Sequence, residues 1–360
     1  MEHTNLIAIN DLMIEPPIIE ACGRHKPKIR TSEKGIPLLQ EGAINIFVNM
    51  PCPLKVAFKA EMALYLNEYN ANHSRKLYVP TLLDGDSKGI EGELKKALSE
   101  DELPEILIAS GFHTVLSTSF KKKYIETGIY TGINHPDYLG KLPENHKQAA
   151  LKYNLGFLAF GFWSIVCDMP LCENIDLPTT WTDLLEPKFK NLLTVHGYNG
   201  KASIANILLV LEERVGTTAI SGMARNVKTM LHFAEVIKRL DSTDPERTPF
   251  NLLPNAASVQ IPSKKRAAII EFTDGPVLAP MLIFVKTSQL NELQPVLNFF
   301  WSERFSKVLR KGDFHRPNQI DWTANYSFPS WDFLLNNDYE EIIAFIESEF
   351  RKGLQPEISE

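Results

Sequence analysis

The stretch GFLAFGFWSIV, residues 156–166, carries no charge and is rich in aromatic side chains. An apolar run of this length is too short to cross a membrane and is typical of a strand buried inside a sheet. The stretch lies near the middle of a chain of 360 residues, which is longer than one hydrophobic core usually supports. We therefore predict that this strand carries the chain from a first lobe into a second.

Short apolar runs alternate with helical stripes before this stretch. The pattern predicts strands at residues 44–48, 77–83 and 105–109. A helical stripe follows the first strand and another follows the second, and their apolar positions are Leu54, Phe58, Met62, Tyr65 and Tyr69, then Ile90, Leu94, Ala97 and Leu98. Such alternation indicates parallel strands whose loops gather at their carboxyl ends, where ligands bind.

The pattern continues after residue 166. We expect a strand at 192–195, a loop at 196–201, a helix through Val215 and a longer helix from Met223 to Ile237. Residues 241–255, with three prolines, predict a loop. Two strands are expected at 267–272 and 281–285, and the remainder is predicted to be mostly helical, with stripes around Phe300 and Phe350.

Four stretches resemble the type II periplasmic solute-binding proteins of ABC transporters, in particular their iron(III)-type branch. LPTTWTDLLEPKFK, residues 177–190, is similar to the family pattern P-x-x-W-x-D-L-L-x-P-K-[YF]-K. Residues 268–286 resemble the family's strand, Asp-Gly turn and return strand, and 296–312 resemble a helix near its carboxyl end. MPCPLK, residues 50–55, stands where the first strand meets its helix.

The resemblance implies an α/β fold with two lobes, each a mostly parallel sheet flanked by helices, joined by hinge strands. On this reading residues 1–42 are an N-terminal extension, 43–155 and 276–360 form the first lobe, and 156–275 form the second. It also implies a solute held between the lobes by hinge closure, and an ABC permease as partner if the chain is exported. Iron-binding members use two adjacent tyrosines, and this sequence has no Tyr-Tyr pair, which argues against ferric iron.

Candidate ligand contacts lie in loops between a strand end and a helix start, where backbone N–H groups and the helix dipole favour anions. In the first lobe they are Cys52, Lys55, Ser110, Phe112 and His113, and in the second lobe His196, Tyr198, Asn199, Thr273 and Asp274. Each has a structural alternative. Cys52 could be a small residue at a tight turn, Lys55 and His113 could be solvated, and Asp274 could simply form the turn before Gly275.

Composition excludes several function classes. The formal net charge of −6 gives no attraction to nucleic acid, and no stretch is long enough to insert into a membrane. We expect no catalytic residue, metal ligand or cofactor, although an enzyme that activates Cys52 with His113 or His196 remains an alternative, as does a metal-binding redox protein using Cys52 with Cys22 or a histidine. The four cysteines form no CxxC pair and are expected to be free thiols.

The amino terminus lacks the basic start and apolar run of a signal peptide, so we expect a cytoplasmic location for the sequence as written, although family members are usually extracytoplasmic. The sequence as a whole predicts a solute-binding protein that holds a small anion, organic acid or metal complex.

Overall fold

The computed structural model of the protein describes residues 31–32, 35–84, 92–97, 99–112, 115–198, 201–240, 242–258, 261 and 266–354. Of the expected extension, 1–42, only 31–32 and 35–42 are among them.

The described strands join into one hydrogen-bonded arrangement in the order β2-β1-β3-β11-β5-β9-β6-β7, with β4 added to β11, β10 to β5 and β8 to β6. The strands are β1 Ile44–Asn49, β2 Leu77–Tyr78, β3 Ile106–Ser110, β4 Tyr130–Gly132, β5 Phe157–Asp168, β6 Leu193–Tyr198, β7 Lys201–Ala202, β8 Val227–Leu231, β9 Phe250–Pro254, β10 Ala267–Ile270 and β11 Val277–Lys286.

Two groups of parallel strands define two lobes. In the first lobe β1 pairs in parallel with β2 and β3. In the second lobe β6 pairs in parallel with β8 and β9. The prediction of an α/β fold with two lobes is confirmed, whereas the sheets are mixed rather than mostly parallel, because β3, β4, β5, β7, β10 and β11 take part in antiparallel pairs.

The long strands β5 and β11 connect the lobes. The end of β11 pairs with β3 of the first lobe, and its start, Val277, lies opposite Trp163 of β5. The second half of β5 continues into the second lobe, where it pairs with β9. These two antiparallel strands are the expected hinge strands, and the uncharged run 156–166 forms most of β5.

Helices cover the faces of both lobes. Their bounds are α1 Cys52–Asn72, α2 Pro80–Asp84, α3 Thr118–Phe120, α4 Pro136–Leu139, α5 Glu144–Lys152, α6 Met169–Cys172, α7 Ala205–Val215, α8 Thr218–Asn226, α9 Phe233–Leu240, α10 Asn255–Ser258, α11 Gln294–Trp301, α12 Glu303–Lys311, α13 Trp331–Asn336 and α14 Tyr339–Gly353. No helix in the described ranges is both long and apolar enough to span a bilayer.

The predicted stripe of α1 is the buried face of that helix. Leu54, Phe58 and Met62 are buried in a core that also contains Phe300 and Phe305 of α11 and α12. Proline at the start of α1 is compatible with a helix, because the first N–H groups have no partner inside the helix. The expected helical stripe around Phe300 therefore packs against the first βα unit.

The motif at 177–190 ties the second lobe to the turn before β11. Trp181 is 1% exposed, and its indole N–H donates to the carbonyl oxygen of Gly275 at 2.8 Å. Asp183 accepts hydrogen bonds from the backbone N–H groups of Thr179 and Thr180 at 2.7 and 3.0 Å. Burial by itself would raise the pKa of Asp183, but the hydrogen bonds from Thr179 and Thr180 outweigh it and lower the pKa to about 2. The motif therefore has a structural role in this chain, because it anchors the turn before β11.

Besides the predicted loop at 196–201, which is described with the cleft, three secondary-structure predictions were wrong. The helix expected from Met223 to Ile237 is interrupted by β8, because Val227–Leu231 pairs with β6. The loop expected at 241–255 contains β9, which pairs with both β5 and β6. The strand expected at 77–83 ends at Tyr78, and α2 follows. In each case pairing inside the sheet or a nearby helix start overrides the local pattern.

Two of the cysteines are not free thiols. Cys167, in β5, and Cys172, in α6, form a disulfide across five residues of sequence separation. The structure therefore corrects the expectation of free thiols for this pair, since the turn after β5 brings both residues together. Cys52 is a free and exposed cysteine.

The carboxyl-terminal segment contacts both lobes. Trp331 packs its ring against Phe112 and Phe157 of the first lobe. On the side of the second lobe, Arg214 of α7 donates to the Ser327 hydroxyl at 2.8 Å. Helix α14 packs against α8 of the second lobe. The two helices are so close at Gly353 that a Cβ atom there would lie only 2.7 Å from the side chain of Ala224. The expected boundaries assign this segment to the first lobe, but its contacts extend to the second.

Candidate ligand-binding cleft

The carboxyl ends of the parallel strands in the first lobe lie side by side. Asn49, the last residue of β1, pairs with Ala109 near the end of β3. Helix α1 starts directly after β1, so Cys52 and Lys55 lie in its first turn. Ser110 ends β3, opposite Met281 of the hinge strand β11. These residues form the rim of the first lobe next to the hinge.

The carboxyl ends of β6, β8 and β9 form the opposing rim. His196 of β6 pairs with Leu231, the last residue of β8, so His232 follows at the same edge. Pro254, at the end of β9, lies opposite Trp163 of the hinge strand β5. The second lobe therefore places two histidines and a tryptophan at its edge near the hinge.

Ring contacts connect these side chains. The rings of Trp163 and His196 lie with centroids 6.2 Å apart and planes 29° apart. The His196 ring contacts those of His232 at 5.5 Å and Phe233 at 5.7 Å. All four side chains are partly exposed, unlike the buried aromatic residues of the core. We call Trp163, His196, His232 and Phe233 the ring cluster.

Hydrogen bonds fix the proton position on both histidines. Nδ1 of His196 lies 3.3 Å from the carbonyl oxygen of Leu231, which only accepts, so this nitrogen carries a proton. Nδ1 of His232 accepts from the backbone N–H of Ala234 at 3.3 Å, so a neutral His232 carries its proton on Nε2. His232 therefore offers an N–H donor from Nε2.

Beside the ring cluster lies a buried polar pair. The Ser164 hydroxyl of β5 hydrogen-bonds to Oδ1 of Asn255, the first residue of α10. Ser164 is 5% exposed. This bond links the hinge strand to the end of β9 and holds the two elements that flank Trp163.

The predicted site residues of the first lobe differ in their surroundings. Cys52 is exposed, and Lys55 and Ser110 are partly exposed at the rim. Phe112 is 1% exposed, and its ring contacts Phe328, Trp331 and Tyr339. Phe112 thus has a packing role, because the carboxyl-terminal segment covers it. His113 lies outside the described residues.

In the second lobe, the predicted loop at 196–201 is largely a hairpin. His196 and Tyr198 belong to β6, which pairs with β7 through Gly197 and Ala202. The helix α7 begins only at Ala205, so the glycines do not open it directly. Asn199 lies outside the described residues. The structure brings His196, but not a helix-opening loop, to the cleft edge.

Thr273 and Asp274 are held by neighbours within the fold. The backbone N–H of Thr273 donates to the carbonyl oxygen of Thr179 at 2.9 Å. The Asp274 carboxylate forms an ion pair with Arg214, and a longer contact of 3.5 Å joins it to the backbone N–H of Trp181. These contacts agree with the turn-forming alternative for Asp274.

Sequence reasoning missed Trp163, His232 and Phe233. Trp163 was interpreted only as part of a buried strand, and His232 lay within a predicted continuous helix. A break between helix and strand at Val227 would have placed His232 at a strand end. His315 was also missed; its ring contacts Phe162 of β5, and its Nε2 hydrogen-bonds to Asp313 at 2.8 Å. Within the described ranges, no group of three or more His, Cys, Asp or Glu side chains is placed to hold a metal ion.

Comparison with known proteins identifies the family. A family of bacterial extracellular solute-binding proteins matches residues 101–337, which is more than half of the chain. The chain belongs to this family. By its description, the family consists of extracellular proteins that bind solutes. A search of curated proteins found no match.

Solved structures of similar fold support the two-lobed architecture. An ABC transporter protein from Clostridium perfringens has a TM-score of 0.56 and 15% identity, covering 86% of this chain and 100% of that chain. Iron-bound HitA from Pseudomonas aeruginosa has a TM-score of 0.58 and 11% identity, covering 85% and 99%. A periplasmic thiamin binding protein has a TM-score of 0.52 and 15% identity, covering 91% and 99%. At these identities the likeness concerns the fold.

Proposed function

We propose that this solute-binding protein closes its two lobes on a small anionic organic solute that contacts the ring cluster. The observation that carries the proposal is the position of Trp163, His196 and His232 where the hinge strand meets the ends of β6, β8 and β9. In open α/β sheets, ligands bind at the carboxyl ends of strands. The Nε2–H donor of His232 suits a carboxylate or another anion.

The hinge explains how a solute would be enclosed. Strands β5 and β11 reach from one lobe to the other, so a change of backbone angles in them rotates the lobes about the cleft. Cys52, Lys55 and Ser110 are the first-lobe residues that such a rotation would bring toward the ring cluster. Proteins of similar fold include iron-bound HitA and a thiamin binding protein, so this scaffold accepts different solutes.

Delivery to an ABC permease is the transport role that the proposal assigns to the solute-bound form. Solute-binding proteins of this family are extracellular, and a similar structure is described as an ABC transporter. The ring cluster contains no cysteine, whereas Cys52 stands in the first lobe. The cluster therefore supports binding better than it supports thiol catalysis.

Thermal unfolding tests the proposal. The full chain is heated with citrate, glutarate, phosphate, sulfate, thiamin and ferric citrate in separate samples. A solute present at 100 times its Kd stabilises the folded state by about 2.7 kcal/mol, so the true ligand class raises Tm. H196A/H232A should lose this rise. H135A is the control and should keep it, because His135 precedes α4 in the first lobe. No rise with any solute, or an unchanged rise in H196A/H232A, would contradict the proposal.

A further inference from the structure

The ring cluster contains a tryptophan that is partly exposed, unlike two other tryptophans of the fold. Trp181 and Trp331 are buried, at 1% and 5% exposure, and are held by ring contacts with Phe272 and Phe328. Trp163 is partly exposed, and the nearly parallel His196 ring is its stacking neighbour. Trp163 thus packs against the core with part of its surface and leaves the rest exposed next to the hinge.

Backbone pairing fixes the position of Trp163. On one side Trp163 lies opposite Val277 of the hinge strand β11, and on the other it lies opposite Pro254 of β9 in the second lobe. This pairing holds the Cα of Trp163 on both sides, and the side chain is restrained by its packing against the core of buried residues. The hydrogen bond between Ser164 and Asn255 holds the same stretch of β5 to α10.

His232 supplies the N–H donor of the ring cluster. His232 contacts the ring of His196 and carries its proton on Nε2. Its own backbone N–H donates to the Glu235 carboxylate at 3.2 Å, which fixes the residue at the start of α9. His232 is therefore one ring away from Trp163 in the cluster, with His196 between them.

We infer that the cleft selects a solute with a flat, unsaturated ring that bears a carboxylate. The ring stacks on Trp163 and the carboxylate accepts from Nε2–H of His232. This inference rests on the proposed function and names its substrate class. Offset stacking of flat rings is favoured by their charge distribution, whereas a saturated ring is puckered and meets the indole with fewer atoms.

The matched solutes benzoate and cyclohexanecarboxylate test the inference. They have the same charge and nearly the same size, and differ in the flatness of the ring. Titration calorimetry with the full chain should show benzoate binding about two- to tenfold more tightly. Quenching of tryptophan fluorescence should accompany benzoate binding. Equal Kd values for the two acids would overturn the inference.

Three variants locate the effect. W163L should remove the preference for benzoate, and W163F, which keeps a flat ring, should restore most of it. W301L is the matched control, because Trp301 is also partly exposed but contacts His135 and Tyr138 in the first lobe. Circular dichroism confirms that each variant is folded. An unchanged preference in W163L would contradict the inference.

The same titrations separate this inference from the proposed function. If citrate or glutarate raises Tm and neither ring acid binds, the ring inference fails and the proposed function stands. If no tested solute binds, both fail. If benzoate binds but H196A/H232A binds it equally well, the assignment of the carboxylate to His232 fails.

Discussion

The indole N–H of Trp181 donates to the carbonyl oxygen of Gly275 across a distance of 2.8 Å. This bond joins the most family-like stretch of the sequence to the turn that leads into the hinge strand β11. The Trp181 ring also meets Phe272 edge-on at 4.9 Å. The turn before the hinge is therefore fixed by a side chain more than 90 positions away in sequence.

Trp181→Phe should destabilise the protein through this bond. It keeps an aromatic ring but leaves the buried carbonyl of Gly275 without its donor, at a cost of about 1–3 kcal/mol in the free energy of unfolding. Urea titration followed by circular dichroism measures the loss. Trp322→Phe is the matched control, since Trp322 donates to Pro317 at 2.8 Å from a partly exposed position and should lose less. Equal losses of unfolding free energy in the two variants would contradict the structural role of Trp181.

Protonation of His146 should limit stability in acid. Burial lowers the pKa of His146 to about 4, because the ring lies among Phe157, Phe160 and Phe328. The unfolded imidazole has an ordinary pKa near 6.5 and takes up its proton first, so stability falls as the pH drops below about 6.5 and levels off below about 4. The contribution amounts to about 3 kcal/mol.

His146→Phe provides the measurement for that titration. The variant cannot take up this proton, so the fall in unfolding free energy between pH 6.5 and 4 should be smaller than in the unmodified chain. His135→Phe, which makes the same replacement at a partly exposed position, is the comparison variant. Parallel curves for all three proteins would refute the assignment to His146.

Asp274 and Arg214 should stabilise the fold rather than contact the solute. Their ion pair is partly exposed, at 22% and 34%, so Asp274→Asn should cost about 1 kcal/mol or less. Arg214→Gln should cost a similar amount, and the double variant should cost less than the sum of the two. Solute affinity, measured by calorimetry, should stay within about twofold, and a larger loss confined to Asp274→Asn would assign the carboxylate to the ligand.

The pairing of Cys167 with Cys172 predicts a distinct alkylation pattern. In denaturant without reductant, iodoacetamide should modify Cys52 and leave Cys167 and Cys172 unmodified. After reduction, both should be modified. Peptide mass spectrometry reads the result, and modification of Cys167 before reduction would show that the bond is absent.

Helical periodicity and buried strands carried most of the fold prediction. The stripe through Leu54 and Met62 and the uncharged run 156–166 were interpreted correctly, because core packing selects those residues directly. β8 was missed because residues 223–237 contain no glycine or proline, so a helical period continues through the strand. Only pairing with β6, distant in sequence, distinguishes the two structures.

The candidate site was harder to predict for the same reason. His196 was selected as a candidate because a strand ends near it, whereas Trp163 and His232 come close to it only through the pairing of β5 with β9 and of β6 with β8. Phe112 was wrongly expected to face the cleft, since nothing local to it reveals the cover supplied by Trp331 and Tyr339. For all of these residues, contacts with parts of the chain that are distant in sequence determine the surroundings, and a local pattern does not reveal such contacts.

Helix α14 has its first residue, Tyr339, against Phe112 and its last, Gly353, against Ala224. A rotation of one lobe against the other would have to change the packing at one of these two ends, so the helix is a second connection between the lobes beside the hinge strands. A larger side chain at position 353 would press on Ala224 and thereby alter the energy of lobe closure.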